Sequence, residues 1–232
     1  MRTALLDAWA VVAPTWCSGC GAPDRALCAA CRLALAPAVR PARRCDFQSW
    51  AALEYSGVVR SVIGAYKDGG RLDAAAALSV ALRSAVVAAL AHVPTTGQAP
   101  RRGAGMVQLV SVPSSREAWR LRGFSPVELL LRHAGLRSTR VLRQVAQSRD
   151  QVGLGREERA ANRRGTLAAR YQLAGLPCLL VDDILTTGAT LLEARRAVEE
   201  ARGVVVGVAV LAQTPRRTPG GGGSQETGRQ NL

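Results

Sequence analysis

The sequence predicts an α/β fold, strands alternating with helices, preceded by a small cysteine module. Three observations predict it. Runs of strand length recur at 51–55, 106–112, 178–181 and 204–212, separated by stretches with helical patterning. One of them, Cys178-Leu179-Leu180-Val181, ends in Asp182 and Asp183 and a short hydroxyl-rich loop, before a helical pattern that begins at Leu191. Two Cys-x-x-Cys pairs lie near the N-terminus.

Length and composition set the frame. A chain of 232 residues suits one domain of ordinary size plus a small module. The expected division is a helix and cysteine module at 1–50, an α/β domain at 51–213 and a tail at 214–232, where Pro, Gly, Arg and Ser replace core-forming residues. Segment 1–13 reads as amphipathic, packing on the protein. Asp7 interrupts its apolar run and no small-residue cleavage site precedes Pro14, so a secretory leader is not expected. No apolar run is expected to reach the length of a membrane span, and the expected location is the cytoplasm.

The net charge is 31 − 17 = +14, and all but one of the basic residues are arginine. So uniform a bias reads first as genome composition; it also suits an anionic ligand or nucleic acid. Lys67, the single lysine, stands out as a compact ammonium retained where arginine is the default.

Cys17, Cys20, Cys28 and Cys31 are spaced to close a tetrahedral zinc site, with Gly21 and Pro23 supplying turns. Four thiolates leave no open position, so the role would be structural, and such metal binding contributes roughly 10–16 kcal/mol to folding in zinc-finger peptides. Disulfides or a redox pair are the alternative, disfavoured among reduced cytosolic thiols. Cys45 reads as a spare thiol and Cys178 as a strand residue.

After the strand at 51–55, a helix is expected from Gly57 to Lys67. Asp68-Gly69-Gly70 breaks it before a long Ala- and Leu-rich helix at 72–92, apolar on most faces and capped by His92. Segment 94–105 reads as loop. The strand at 106–112 runs directly into Pro113-Ser114-Ser115-Arg116, hydroxyls and a guanidinium at a strand exit, with a helix following at 125–133. The polar excursion at 143–170 carries Gln147, Gln151, Gly153, Gly155, Arg159 and Asn162, and reads as a surface excursion or a cover over a site. The last helix, 191–202, stops at Gly203.

The stretch 178–190 has a chemistry of its own. Gly188 lets the loop turn tightly so that backbone N–H groups converge, and the following helix adds the positive end of its dipole. Thr186, Thr187 and Thr190 add hydroxyls. A phosphate fits such a cradle. Carboxylates do not bind phosphate; Asp182 and Asp183 suit sugar hydroxyls, or a magnesium ion held largely through its waters. Together these describe a ribose 5-phosphate. No Gly-x-x-x-x-Gly-Lys-[Ser/Thr] motif exists to support a P-loop reading.

At these residues the chain resembles the type I phosphoribosyltransferases, which implies a parallel sheet flanked by helices and a ligand, 5-phosphoribosyl 1-pyrophosphate. The order of motifs over 16–212 is similar to that of the ComF family: the double Cys-x-x-Cys, Tyr55-Ser56-Gly57 with Arg60 and Lys67, Val112-Pro113 with Arg122-Gly123-Phe124, then Gln151, Arg159 and Asn162. That resemblance implies a phosphoribosyltransferase-like protein with a link to DNA uptake in natural transformation. It implies that Asp182 and Asp183 hold the ribose hydroxyls and Mg²⁺, and that Thr186, Thr187, Gly188, Ala189 and Thr190 hold the 5-phosphate. Ser114, Ser115 and Arg116, with Lys67, would hold the pyrophosphate, and Gln151, Arg159 and Asn162 would belong to a hood loop. Two departures from the family pattern occur: Ser125-Pro126 replace an Asn-Gln pair, and Leu167 replaces a phenylalanine. Purine-salvage enzymes resemble the loop too but place an acidic base where this chain has Thr186, a side chain that cannot accept a proton at neutral pH.

Two functions are therefore expected to compete. One is transfer of a phosphoribosyl group to an unidentified acceptor. The other is non-enzymatic binding of phosphoribosyl pyrophosphate, or of single-stranded DNA or a competence protein, by a member of the same fold.

Overall fold

The computed structural model describes residues 15–23, 26–42, 48–93, 106–145 and 164–215. The expectations for Cys45, for 1–13, for Gln151, Arg159 and Asn162, and for most of the tail fall outside these residues.

The module begins with Cys17 and Cys20 in a turn and continues into helix α1 (Ala29–Ala34). Strand β1 (Arg40–Ala42) leads to β2 (Ser49–Glu54), α2 (Gly57–Lys67), a single 3₁₀ turn (Leu72–Ala74) and α3 (Ala75–Ala91). Then come β3 (Gln108–Ser111), α4 (Arg116–Arg122), α5 (Pro126–His133), β4 (Leu142–Gln144), β5 (Leu167–Ala169), β6 (Pro177–Leu185), α6 (Ala189–Glu200) and β7 (Val204–Gln213).

Five strands form one sheet in the order β1-β2-β7-β6-β3. Pairings β2–β7, β7–β6 and β6–β3 are parallel, whereas β1 adds an antiparallel edge. The sheet is thus the expected parallel one with a mixed margin. Its central strands are buried on both faces, which is why they read as continuous apolar runs instead of alternating ones. Leu179 and Val181 of β6 face a core shared with α2, α3 and α5, while Cys178 and Leu180 face a second core built with α6 and the β4–β5 hairpin.

The long apolar stretch 72–91 corrects one expectation: by length and composition it could cross a membrane. In the fold, α3 lies against β7, β2 and α5, with Leu78, Leu82 and Val86 fully buried. Burial between the sheet and α5 accounts for only part of its missing polar face, since Val80 and Val87 are more than half exposed. His92 caps it as expected, its Nδ1–H donating to the Ala88 carbonyl at 2.8 Å while the ring lies tilted against Trp50.

The cysteine module shares the first core. Cys17, Leu27, Cys31 and Leu35 are buried in the same cluster as Val62 and Leu78. Arg71 fastens the module from the α2–α3 connection, donating to the Trp16 carbonyl at 2.9 Å and the Ala26 carbonyl at 3.3 Å while its fork pairs with Asp73.

The β4–β5 hairpin is not expected from the sequence, because two three-residue strands carry too little pattern to register. It is tied to α6 through Glu193, a buried carboxylate that accepts the Leu167 N–H at 2.9 Å and both Nε and Nη2 of Arg196 at 2.8 and 2.7 Å. Arg196 in turn donates to the Leu167 carbonyl. Burial alone would push the Glu193 carboxyl up, but the Arg196 and backbone hydrogen bonds outweigh it and hold it below its ordinary value. A depressed carboxylate contributes stability that is complete above its unfolded value and is lost as pH falls through the folded one. Glu193→Gln should therefore cost roughly 3 kcal/mol at neutral pH. Chemical-denaturation curves should show the gap between variant and parent narrowing only below about pH 4.5.

Candidate functional site

The site is built where β6 outruns its neighbour. On one side β3 stops: Ser111 pairs with Val181, and the Val112 N–H to the Val181 carbonyl is the last rung. On the other side β7 continues alongside, pairing Asp182 with Val210 and Leu185 with Gln213. The strand therefore does not end at the acids, as the apolar run suggests, but carries them through to Leu185. Both carboxylates are half-buried in a rigid ladder, beyond the last β3 pairing.

Adjacent strand positions alternate faces. Asp183 takes the side of Leu179 and Val181, where α2 ends, and its Oδ2 accepts the Lys67 ammonium at 2.8 Å. Both side chains are about one-fifth exposed, 18% and 19%. The single lysine thus meets one of the two aspartates, a pairing that sequence spacing does not reveal because 116 positions separate them (183 − 67). Asp182 folds its Oδ1 back onto the Asp183 N–H at 2.8 Å.

The loop that follows is shorter than expected. Gly188 holds the left-handed conformation at φ 85° and is the N-cap, so α6 begins at Ala189 and not at Leu191. Any residue with a Cβ is disfavoured there. Ala189 and Thr190 are consequently first-turn residues of the helix, and their N–H groups belong to the end that favours anions. The Thr187 hydroxyl accepts the Ala189 N–H at 3.4 Å.

The residues expected to hold a pyrophosphate are divided by α4, a helix that sequence patterning missed. Ser115 caps it, its Oγ accepting the Ala118 N–H at 3.1 Å. Lys67 and Ser115 line one cleft of about 650 Å³, together with Asp68, Arg122 and Phe124. Ser114 and Arg116 line another, of about 600 Å³.

Arg122-Gly123-Phe124 proves to be a corner that anchors α4 on the end of α2. Arg122 donates through Nε and Nη2 to Asp68 at 3.2 and 3.0 Å, Gly123 terminates the helix at φ 73°, and Phe124 packs edge-on against Tyr66 at 5.8 Å. Tyr66 is buried and donates to the Pro126 carbonyl at 2.9 Å. Burial, and then the Asp183 charge, push its phenol well above the usual range. Tyr66, Lys67 and Asp68 thus touch three different parts of the site from one helix end.

The four cysteine sulfurs lie within 4.8 Å of one another, and Cys20 and Cys28 are 3.8 Å apart. Tetrahedral zinc with bonds of about 2.3 Å spaces its sulfurs about 3.8 Å apart, so the cluster is compatible with that ion. Burial pushes the Cys17 thiol up, but the backbone N–H groups of Cys28, Cys20 and Gly19 outweigh it and bring it down to about 6. A Cβ at Gly19 would stand 2.6 Å from the Cys31 sulfur, which explains a glycine between the first two ligands.

A double-mutant cycle tests the central pair. Lys67→Met and Asp183→Asn should be non-additive, with a coupling of about 1–2 kcal/mol in denaturation experiments. Additive effects would show that the ion pair does not form in solution.

Residues 122–220 match the family model described as a phosphoribosyl transferase domain. No curated protein matches the chain. Among solved structures, the chain is similar to the adenine phosphoribosyltransferase from Rhodothermus marinus DSM 4252, with 21% identity over 80% of this chain and 88% of that one, and a TM-score of 0.29. The matched stretch holds the 122–124 corner, the β4–β5 hairpin, β6, the glycine loop and α6. The fold is that of a type I phosphoribosyltransferase, a parallel sheet flanked by helices, joined to a four-cysteine cluster able to hold zinc.

Proposed function

We propose that this protein binds 5-phosphoribosyl 1-pyrophosphate with Mg²⁺ and transfers its phosphoribosyl group to an acceptor. One observation carries the reading: within the stretch that matches a phosphoribosyl transferase domain, the carboxylates of β6 stand beside a glycine-opened helix N-terminus. In this reading Thr186, Thr187, Gly188, Ala189 and Thr190 cradle the 5-phosphate. Asp182 and Asp183 orient the ribose hydroxyls and the waters of the metal, and Lys67, Ser114, Ser115 and Arg116 hold the pyrophosphate. Magnesium supplies charge neutralisation on the leaving group. Gln151, Arg159 and Asn162 belong to a cover that excludes water from the sugar.

In the reaction, the bond from C1 of the ribose to the pyrophosphate oxygen breaks, and its electron pair departs with pyrophosphate. The acceptor atom bonds to C1 and gives its proton to solvent. Prearranged donors at the phosphates supply the stabilisation, and no carboxylate base stands at Thr186. Asp183 must exchange Lys67 for its ligand, which frees the ammonium to meet the pyrophosphate.

The motif order supports a finer assignment, a ComF-like protein linked to DNA uptake. Its +14 charge also favours a second reading, a non-enzymatic protein that binds phosphoribosyl pyrophosphate or single-stranded DNA as part of a competence system. Zinc in the cysteine cluster would fasten the module to the sheet domain in either case.

Calorimetric titration of the purified protein with phosphoribosyl pyrophosphate should give Mg²⁺-dependent binding, weakened by about tenfold or more when Asp182→Asn and Asp183→Asn are combined. Undiminished affinity in that variant would overturn the site. Pyrophosphate release across a panel of bases and amines then separates the readings, since only the transferase turns over. Metal analysis should find one zinc per chain, and stripping it with a chelator should lower the thermal midpoint; a metal-free protein of unchanged midpoint would remove zinc from the account.

A further inference from the structure

Beside the free edge of β3 lies the second cleft, of about 600 Å³, which no step above uses beyond its rim. Five arginines line it: Arg116 and Arg120 from α4, and Arg140, Arg143 and Arg170 from the hairpin and its flanks. The one carboxylate in its wall, Glu128, is already engaged by Arg140, through Nε at 3.2 Å and Nη2 at 2.8 Å. Among the described residues the other four guanidinium groups form no ion pair. Like charges gathered around one concavity repel, and an anion relieves that repulsion.

Two further features narrow the anion. Trp119 lines the same cleft with 56% of its surface exposed, offering an indole face to a planar ring. Gln144, on β4, also lines it and holds a buried Oε1 with no hydrogen-bond partner among the described residues. Such an oxygen needs a donor, and a ring N–H supplies one. The volume is that of a small-molecule site.

We propose that this cleft is the acceptor subsite, and that it takes a planar heterocycle carrying a carboxylate. The proposal rests on the phosphoribosyl-transfer reading and names its acceptor class. Arginine forks match a carboxylate bidentately, the indole stacks on the ring, and the Gln144 oxygen accepts the ring N–H. The cleft is placed for this role because Ser114 and Arg116 line it while Ser115, between them, lines the cleft that holds Lys67. The two clefts meet at one turn of chain. A ring nitrogen of the acceptor bonds to the ribosyl C1 as the C1–O bond breaks, its electron pair leaves on pyrophosphate, and the proton of that nitrogen passes to solvent.

The test is calorimetry on the full chain, with and without saturating Mg²⁺ and phosphoribosyl pyrophosphate, using two matched pairs whose rings carry an N–H: pyrazole-3-carboxylate against pyrazole-3-carboxamide, and uracil-6-carboxylate against uracil. The charged member of at least one pair should bind about tenfold or more tightly than its neutral partner. The double variant Arg143→Gln with Arg170→Gln should erase that preference, leaving affinity for phosphoribosyl pyrophosphate within about twofold of the parent. Trp119→Leu should weaken both members alike, which guards against a double variant that does not fold. Equal binding of charged and neutral probes in both pairs overturns the proposal. So does a result in which no probe binds but a short single-stranded oligonucleotide does and is lost in the double variant, which would make the cleft a nucleic-acid surface. If phosphoribosyl pyrophosphate fails to bind while the charged probes keep their preference, the transfer reading falls and the anion subsite stands.

Discussion

Strand β6 continues to pair with β7 after β3 has turned away, and the candidate site depends on that difference in length. A carboxylate on a loop would have to be ordered by its ligand. Here the ladder orders Asp182 and Asp183 in advance, while the missing rungs on the β3 side leave space beside them. The same departure of β3 sends the chain into Pro113-Ser114-Ser115 and α4, so the second set of polar groups arises next to the first. Ligands gather at the carboxyl edge of a parallel sheet for this general reason: strands of unequal length end in loops that can diverge.

Around that edge the polar groups are arranged so that burial is compensated. Asp183 meets Lys67, Arg122 meets Asp68, and Glu193 meets Arg196. The three pairs differ in function because they differ in what surrounds them. Glu193 is almost wholly enclosed and also caps the Leu167 N–H, so it works as a rivet between α6 and the hairpin. The Lys67–Asp183 pair borders a cleft and is partly solvated, so its desolvation cost is lower and its partners can be exchanged. Arg122 and Asp68 hold the wall of that cleft in place.

Helix α2 connects the two ends of the molecule. Val58 lies beside Gly19 in the cysteine module, where a Cβ would come within 3.0 Å, and Lys67 reaches Asp183 at the opposite end. Arg71, just past the helix, binds carbonyls on both sides of the cysteine turn. The module is therefore part of the scaffold that positions the lysine, and shares its apolar core with the sheet domain.

Much of this was legible in the residues. Continuous apolar runs announced buried strands, because a sheet covered on both faces has no polar alternation to show. Gly188 followed by Ala189 and Thr190 announced a tight turn into a helix end, and the cysteine spacing announced a cluster, because local geometry decides both. What the chain could not show were contacts between distant segments. Spacing marked Lys67 as unusual but not its aspartate. The motif order marked Arg122-Gly123-Phe124 but not the Asp68 and Tyr66 that receive it. Short elements such as α4 and the β4–β5 hairpin carry too few residues for a period to emerge, so their existence, and the arginine-lined cleft they create, were decided by packing alone. The sequence by itself determined the chemistry available at each turn, since that is a matter of side chains and local backbone. Tertiary structure decided which of those groups share a cleft, since that depends on where β3 stops and β6 continues.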